Sequence, residues 1–167
     1  MKKRLRIEYF LVAAVMLLLF VGSIAATNFF FQKEMVAQQE TYLRRKNTLL
    51  TDQLPPSVFE KGQLTNQQQL LVTHALDDAE ERVTLLQKNG TVFFDSSQNE
   101  PLESHKKRPE IAAVLSGATY GSALRKSKTL NKELLYVATP VLKSGEIVGI
   151  IRISEQTALF SKNIQSF

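Results

Sequence analysis

The sequence predicts an α+β domain tethered to a membrane by an N-terminal helix. Three observations carry this: an uncharged apolar run behind a basic cluster, a polar helical stretch with a seven-residue apolar repeat, and five short β-rich runs separated by turn residues. The chain has 167 residues, a formal net charge of +5 and no cysteine.

Lys2, Lys3, Arg4 and Arg6 precede the apolar run, which extends from Phe10 to Phe31. A helix of about twenty-two residues rises about 33 Å, enough to cross the hydrocarbon core of a bilayer. Only Gly22, Ser23, Thr27 and Asn28 interrupt the apolar side chains, and a spanning helix tolerates all four. Positive flanks stay cytoplasmic, so residues 1–9 are placed inside, the span at 10–31, and everything after Phe31 outside, in a single-pass arrangement in the cell membrane. A cleavable secretory signal shares the basic start, and Ser23-Ile24-Ala25 passes for its cleavage site. Phe29, Phe30 and Phe31 favour the uncleaved anchor, because a released N-terminus would expose them to water.

Beyond the anchor about 135 residues remain, enough for one modest domain and an accessory helix. Without cysteine the domain is held by its core alone. The positive balance comes largely from the N-terminal cluster, so it argues against nucleic acid as a partner.

Residues 32–54 contain no Gly or Pro, and their apolar side chains fall as doublets seven apart: Met35/Val36, Tyr42/Leu43 and Leu49/Leu50. This spacing is helical and continues the membrane helix outward. So narrow a stripe suits either a homodimer seam through Val36, Leu43 and Leu50 or an edge packed on the chain's own domain. Pro55-Pro56 ends the helix. The domain proper is placed at 55–155.

Thr65-Asn66-Gln67-Gln68 has the spacing of a capping box, opening a helix that buries Leu70, Leu71 and Ala75 and leaves His74 on the surface. Val83–Leu86 and Thr91–Phe94 flank Lys88-Asn89-Gly90, and Asn-Gly between β-rich runs signals a hairpin. After a polar segment, Pro109 opens a short helix over Glu110–Leu115 that Gly117 closes. Strands follow at Tyr120–Leu124, Leu134–Val141 and Ile147–Ile153, with turns at Leu130-Asn131-Lys132 and Lys143-Ser144-Gly145. Tyr136, Ala138 and Pro140 alternate with Leu135, Val137, Thr139 and Val141, which suits a sheet covered on one face. Residues 156–167 begin a helix leading back to the membrane. The result is a five-stranded antiparallel sheet with helices on one side.

This order of elements, hung outward from an anchor, resembles the PAS-like or single-Cache sensing module of bacterial receptors. Residues 82–155 are further similar to the extracytoplasmic region of PhoR-type (phosphate-regulon) sensor histidine kinases. The matching pieces are Arg82-Val83-Thr84-Leu85, Asn89-Gly90-Thr91-Val92 with Asp95-Ser96, and His105 with Arg108-Pro109-Glu110-Ile111. Arg125 with Ser127, Leu135-Tyr136-Val137-Ala138 with Pro140-Val141, and Val148-Gly149 with Ile151-Arg152-Ile153-Ser154 complete the set. The spacing of the His-x-x-Arg-Pro-Glu-Ile block from Asp95-Ser96 is the most specific part. The resemblance implies the sensing portion of a longer two-component kinase, homodimeric, in the membrane, serving phosphate-starvation or envelope-state signalling. A second membrane helix, an ATP- and magnesium-dependent kinase portion and a cytoplasmic response regulator would follow from it. A secreted or anchored binding protein, or a receptor with another output, is the alternative.

The residues themselves offer no catalytic chemistry. There is no cysteine, no Gly-rich phosphate loop, and no His-x-x-x-His or Cys-x-x-Cys spacing for a metal. One constellation stands out: Asp95, His105, Lys106, Lys107, Arg108 and Glu110, with Arg125 and Ser127 after them. His105, Arg108, Arg125 and Ser127 are candidate ligand-binding donors for a small anionic or envelope-derived ligand. PAS-like receptors place ligands in this region. The competing arrangement is structural, with Asp95 tied to His105 or Arg108 and Glu110 to Arg125, and it is the preferred one. A pH-sensing His105, changing charge between about pH 5 and 8, is a further option.

Overall fold

The computed structural model describes residues 2–76, 81–97, 104–127 and 132–157, with side chains from Tyr9 onward. The chain divides into two units, Met1–Ala37 and Gln38–Phe167. Helix α1 runs over Lys2–Gln53 and so contributes to both.

In the first unit α1 presents its apolar side chains outward; Phe10, Leu18 and Phe29 are among those exposed. Among the described residues it is one helix long and apolar enough to cross a membrane, compatible with a single-pass membrane protein.

In the second unit α1 buries Leu43, Asn47, Leu50 and Leu54, spaced four, three and four apart on one helical face. Asn47 Nδ2 donates to the Val137 carbonyl at 2.9 Å, pinning this face to the sheet. Of the two alternatives for the stripe, Leu43 and Leu50 follow packing on the chain's own domain, because both belong to its core. The outer member of each doublet stays in solvent: Tyr42 and Leu49 are exposed. Val36 lies in the first unit and is half-buried.

Helix α1 stops at Gln53, ahead of Pro55-Pro56, but the second proline also opens a helix that sequence reasoning missed. In α2, Pro56–Lys61, Pro56 takes the first turn, where a missing N–H costs nothing. Val58 and Phe59 are buried, and Gly62 closes the helix at φ 66°. Gly149 makes room for α2, since a Cβ there would lie 2.3 Å from the Phe59 ring. Helix α3, Asn66–His74, carries both halves of the capping box between Thr65 and Gln68. Its buried residue is Val72, whereas Leu70, expected inside, is exposed.

The sheet is antiparallel throughout and ordered β2-β1-β5-β4-β3. Its strands are β1 Arg82–Gln87, β2 Val92–Asp95, β3 Gly121–Lys126, β4 Glu133–Lys143 and β5 Glu146–Gln156. Gly90, at φ 87°, turns the β1–β2 hairpin, and Thr91 N donates to Asn89 Oδ1. The β3 ladder ends at Ala138, so Pro140 lies beyond it. Both faces of the central strands are covered, not one as the alternation suggested. Helices α1 and α2 lie on the first face. Helix α4, Pro109–Leu115, packs Ile111 and Val114 against Leu86, Ala138 and Ile150 on the second. Of the helix expected over 156–167, Gln156 instead ends β5 and residues 158–167 lie outside the described residues, as does part of the turn at 130–132.

Candidate functional site

The face under α4 is apolar at one end and polar at the other. Strand register sets the polar rows. Asp95 stands opposite Thr84, Thr84 opposite Arg152, Arg152 opposite Ala138, and Ala138 opposite Gly121, one row across all five strands. The next row is Arg82, Ser154, Tyr136 and Ala123, and beyond it stand Gln156, Leu134 and Arg125. Alternation thus delivers Arg82 with Thr84, and Arg152 with Ser154 and Gln156, to one face.

Two close approaches bring the rest of the site onto this surface. A Cβ on Gly121 would lie 2.1 Å from the Glu110 carbonyl oxygen, so α4 enters against bare backbone and sets Glu110 over the first row. A Cβ on Gly90 would lie 2.7 Å from Lys106 Cβ, and His105 N donates to Gly90 O at 2.9 Å. The hairpin turn thereby fixes where His105 enters.

Asp95 is tied to Arg82. Arg82 Nε donates to both carboxylate oxygens, at 2.8 and 3.0 Å, and Thr84 Oγ1, Ser97 N and Ser97 Oγ complete its partners. Burial raises the Asp95 pKa, but the hydrogen bond and charge of Arg82, with Ser97 and Thr84, outweigh it and hold the group below its usual value. The tie to His105 or Arg108 is thus corrected: the register puts Arg82 nearer than either. Arg108 sits at the N-cap of α4, half-buried, its side chain making no cap hydrogen bond.

Glu110 is fully buried. Its Oε1 accepts from Arg125 Nη2 at 3.0 Å and from Arg152 Nη1 at 3.3 Å. Arg152, 2 % exposed, also donates from Nη2 to Thr84 Oγ1 at 2.9 Å. Its burial, opposed by Glu110 and reinforced by Arg82 and Arg125, lowers its pKa to about 10, so it stays cationic at neutral pH. The Arg125 guanidinium lies 3.6 Å and that of Arg152 5.2 Å from the Tyr136 ring centroid, sharing one aromatic ring. Within this ion-paired set of described residues, three arginines face two carboxylates, leaving one positive charge in excess.

His105 is buried beside this group. Burial first, then the charges of Arg152, Arg108 and Arg82, pull its pKa down to about 4 against a raising effect of Asp95. It is neutral across pH 5 to 8, so the pH-sensing option is corrected. Ser127 lies past the end of β3, buried, with its N–H donating to Lys132 O at 2.7 Å.

Six buried polar atoms on or beside this face have no hydrogen-bond partner: His105 Nδ1, Glu110 Oε2, Arg125 Nε, Arg152 Nε, Ser154 Oγ and Gln156 Oε1. Folded proteins leave few such atoms, and each calls for a partner such as a bound water, an ion or a ligand group. Sequence reasoning named Arg125, Glu110 and His105 as site candidates; Arg82, Tyr136, Arg152 and Ser154 stood in the matching blocks without a site role, and Gln156 in none. The available signal was a lone arginine in the apolar run Ile150-Ile151-Arg152-Ile153. A concavity of about 600 Å³ lies between α1 and α3, lined by Tyr42, Arg45, Leu49, Leu71 and His74 among others. Among the described residues no group of His, Asp or Glu is placed to hold a metal ion.

The family model for single Cache-like domains matches residues 52–156. Among solved structures, the sensor domain of the V. cholerae histidine kinase DctB superposes with a TM-score of 0.63 at 18% identity, over 81% of this chain and 55% of that one. An extracellular ligand-binding receptor from Desulfohalobium retbaense gives 0.57 at 10%, over 78% of this chain and 25% of its own. The ligand-binding domain of the Campylobacter jejuni chemoreceptor Tlp3, in complex with L-valine, gives 0.53 at 15%, over 75% and 56%. The chain thus spans about half the length of the DctB and Tlp3 structures and a quarter of the Desulfohalobium one. At such identities the likeness is one of fold. No curated protein matches the sequence.

Proposed function

This chain belongs to the single Cache-like family, and from that premise we propose that it is the outward-facing sensory portion of a membrane-bound sensor histidine kinase. Its signal is a small anion received on the polar face beneath α4. The observation that carries this reading is the contiguous set of buried, unpartnered polar atoms around Arg152, Glu110 and Arg125, with one positive charge in excess. Buried charges are costly unless compensated, so an arriving anion stabilises the folded domain. The basic cluster before the apolar segment supports a cytoplasmic N-terminus and an extracytoplasmic domain. The blocks shared with PhoR-type kinases support phosphate-starvation or envelope-state signalling, with output through a homodimer, an ATP- and magnesium-using kinase portion and a response regulator. The name of the Tlp3 structure, a complex with L-valine, supports small-molecule reception on this fold, and that of DctB supports a histidine-kinase sensor.

Thermal denaturation of the full chain in nanodiscs, with lactate, glycolate or inorganic phosphate added, tests the site. At a hundredfold excess over the dissociation constant, an anion stabilises the fold by about 2.7 kcal/mol and raises Tm by several degrees. Arg125→Ala, which removes a half-buried guanidinium, abolishes the rise. A Tm indifferent to every anion contradicts the reading.

A further inference from the structure

We infer that the polar face selects an anion that also carries a hydrogen-bond donor, and that Glu110 is the group that demands the donor. The inference rests on the anion site proposed above and narrows its ligand class. An all-acceptor anion matches only part of the surface. Arg125 Nε and Arg152 Nε are unpartnered donors and call for anionic oxygen. Glu110 Oε2 and Gln156 Oε1 are unpartnered acceptors on the same face, and Glu110 is fully buried. Set beside acetate or sulfate, Glu110 Oε2 meets only lone pairs. An N–H or O–H on the ligand resolves that conflict.

Charge then limits the donor. Among the described residues ion-paired here, Arg82 is neutralised by Asp95, and Glu110 is shared by Arg125 and Arg152, which leaves a single positive charge. A zwitterion would leave it uncompensated. A singly charged acid bearing a hydroxyl compensates it and supplies the donor. Dihydrogen phosphate has the same chemistry: one negative charge and its own O–H groups. Ser154 Oγ donates or accepts and so accommodates either.

Calorimetric titration of the full chain in nanodiscs at mildly acidic pH tests this, using glycolate against acetate and phosphate against sulfate. Glycolate and acetate differ chiefly in the donor, whereas dihydrogen phosphate differs from sulfate both in its donors and in carrying one negative charge in place of two. Glycolate is expected to bind about tenfold or more tightly than acetate, the discrimination typical of leaving a buried polar group unpaired. Phosphate binding more tightly than glycolate identifies phosphate as the source of the chemistry; the reverse identifies a hydroxy acid.

Glu110→Gln provides the second arm. The amide oxygen keeps an acceptor for Arg125 and Arg152, while the amide nitrogen replaces an acceptor by a donor. Loss of the carboxylate charge strengthens both anions, so the diagnostic readout is their ratio: the glycolate preference should collapse or invert, which a change of charge alone would not produce. Equal affinity for glycolate and acetate in the unsubstituted chain overturns the inference while leaving the anion site standing. A glycolate preference unchanged by Glu110→Gln shows that Glu110 is not the selector and overturns it equally. If none of the four anions binds, the site itself is refuted.

Discussion

Arg152 is flanked in sequence by Ile150, Ile151 and Ile153, yet it is the most consequential charge in the domain. Nothing local announces its partners, because Glu110 comes from α4 and Thr84 from β1. Residues close in sequence drew attention first, so Asp95 was matched with His105 and Arg108. The closer partner, Arg82, is reached only across the hairpin ladder. This difference is measurable in urea denaturation. Asp95→Ala strands the Arg82 guanidinium, 8 % exposed, without its carboxylate and should cost about 3–5 kcal/mol. Arg108→Ala removes a half-buried side chain that makes no cap hydrogen bond and should cost about 0.5 kcal/mol or less. Equal losses would restore the Asp95–Arg108 tie. Glu110 and Arg125 stand in contact at 3.0 Å, but that one carboxylate oxygen also serves Arg152 was not legible, since it needs the register of β5.

Elements were far more legible than their faces. The apolar run, the capping box at Thr65, the Asn-Gly hairpin and the three C-terminal strands all follow from short-range rules, and each is present. The faces depend on what packs where. The seven-residue doublets of α1 read equally well as seam or core, and only the sheet decides that Leu43 and Leu50 go inward. Helix α2 escaped notice because the Pro55-Pro56 pair signals an end and a beginning at once. The cysteine-free chain makes the α1 assignment easy to test. Single cysteines at Tyr42, Leu43, Leu49 and Leu50 in intact cells should react with a membrane-impermeant maleimide at Tyr42 and Leu49 and stay silent at Leu43 and Leu50. Equal labelling of Leu43 and Leu49 would contradict the buried stripe. No labelling at any of the four would contradict the outward orientation.

At the scale of the whole molecule, the sequence supports a membrane anchor, an α+β domain and a five-stranded sheet, and the match over residues 52–156 establishes the family. The site was half legible. Its covering residues, His105 and Glu110, lie in one polar block, whereas its floor is assembled from β1, β3, β4 and β5. Sequence order scatters those floor residues over more than seventy positions, and antiparallel pairing gathers them. On the proposed reading this floor, and not the groove between α1 and α3, receives the signal. Hydrogen exchange of the full chain in nanodiscs, with and without saturating glycolate or phosphate, tests it most directly. The account predicts added protection at the amides of Glu110 to Val114, Arg125 and Arg152 to Gln156, with none along Tyr42 to Gln53 or Leu71 to Ala75. Protection confined to those α1 and α3 segments would contradict it and move the site to the groove.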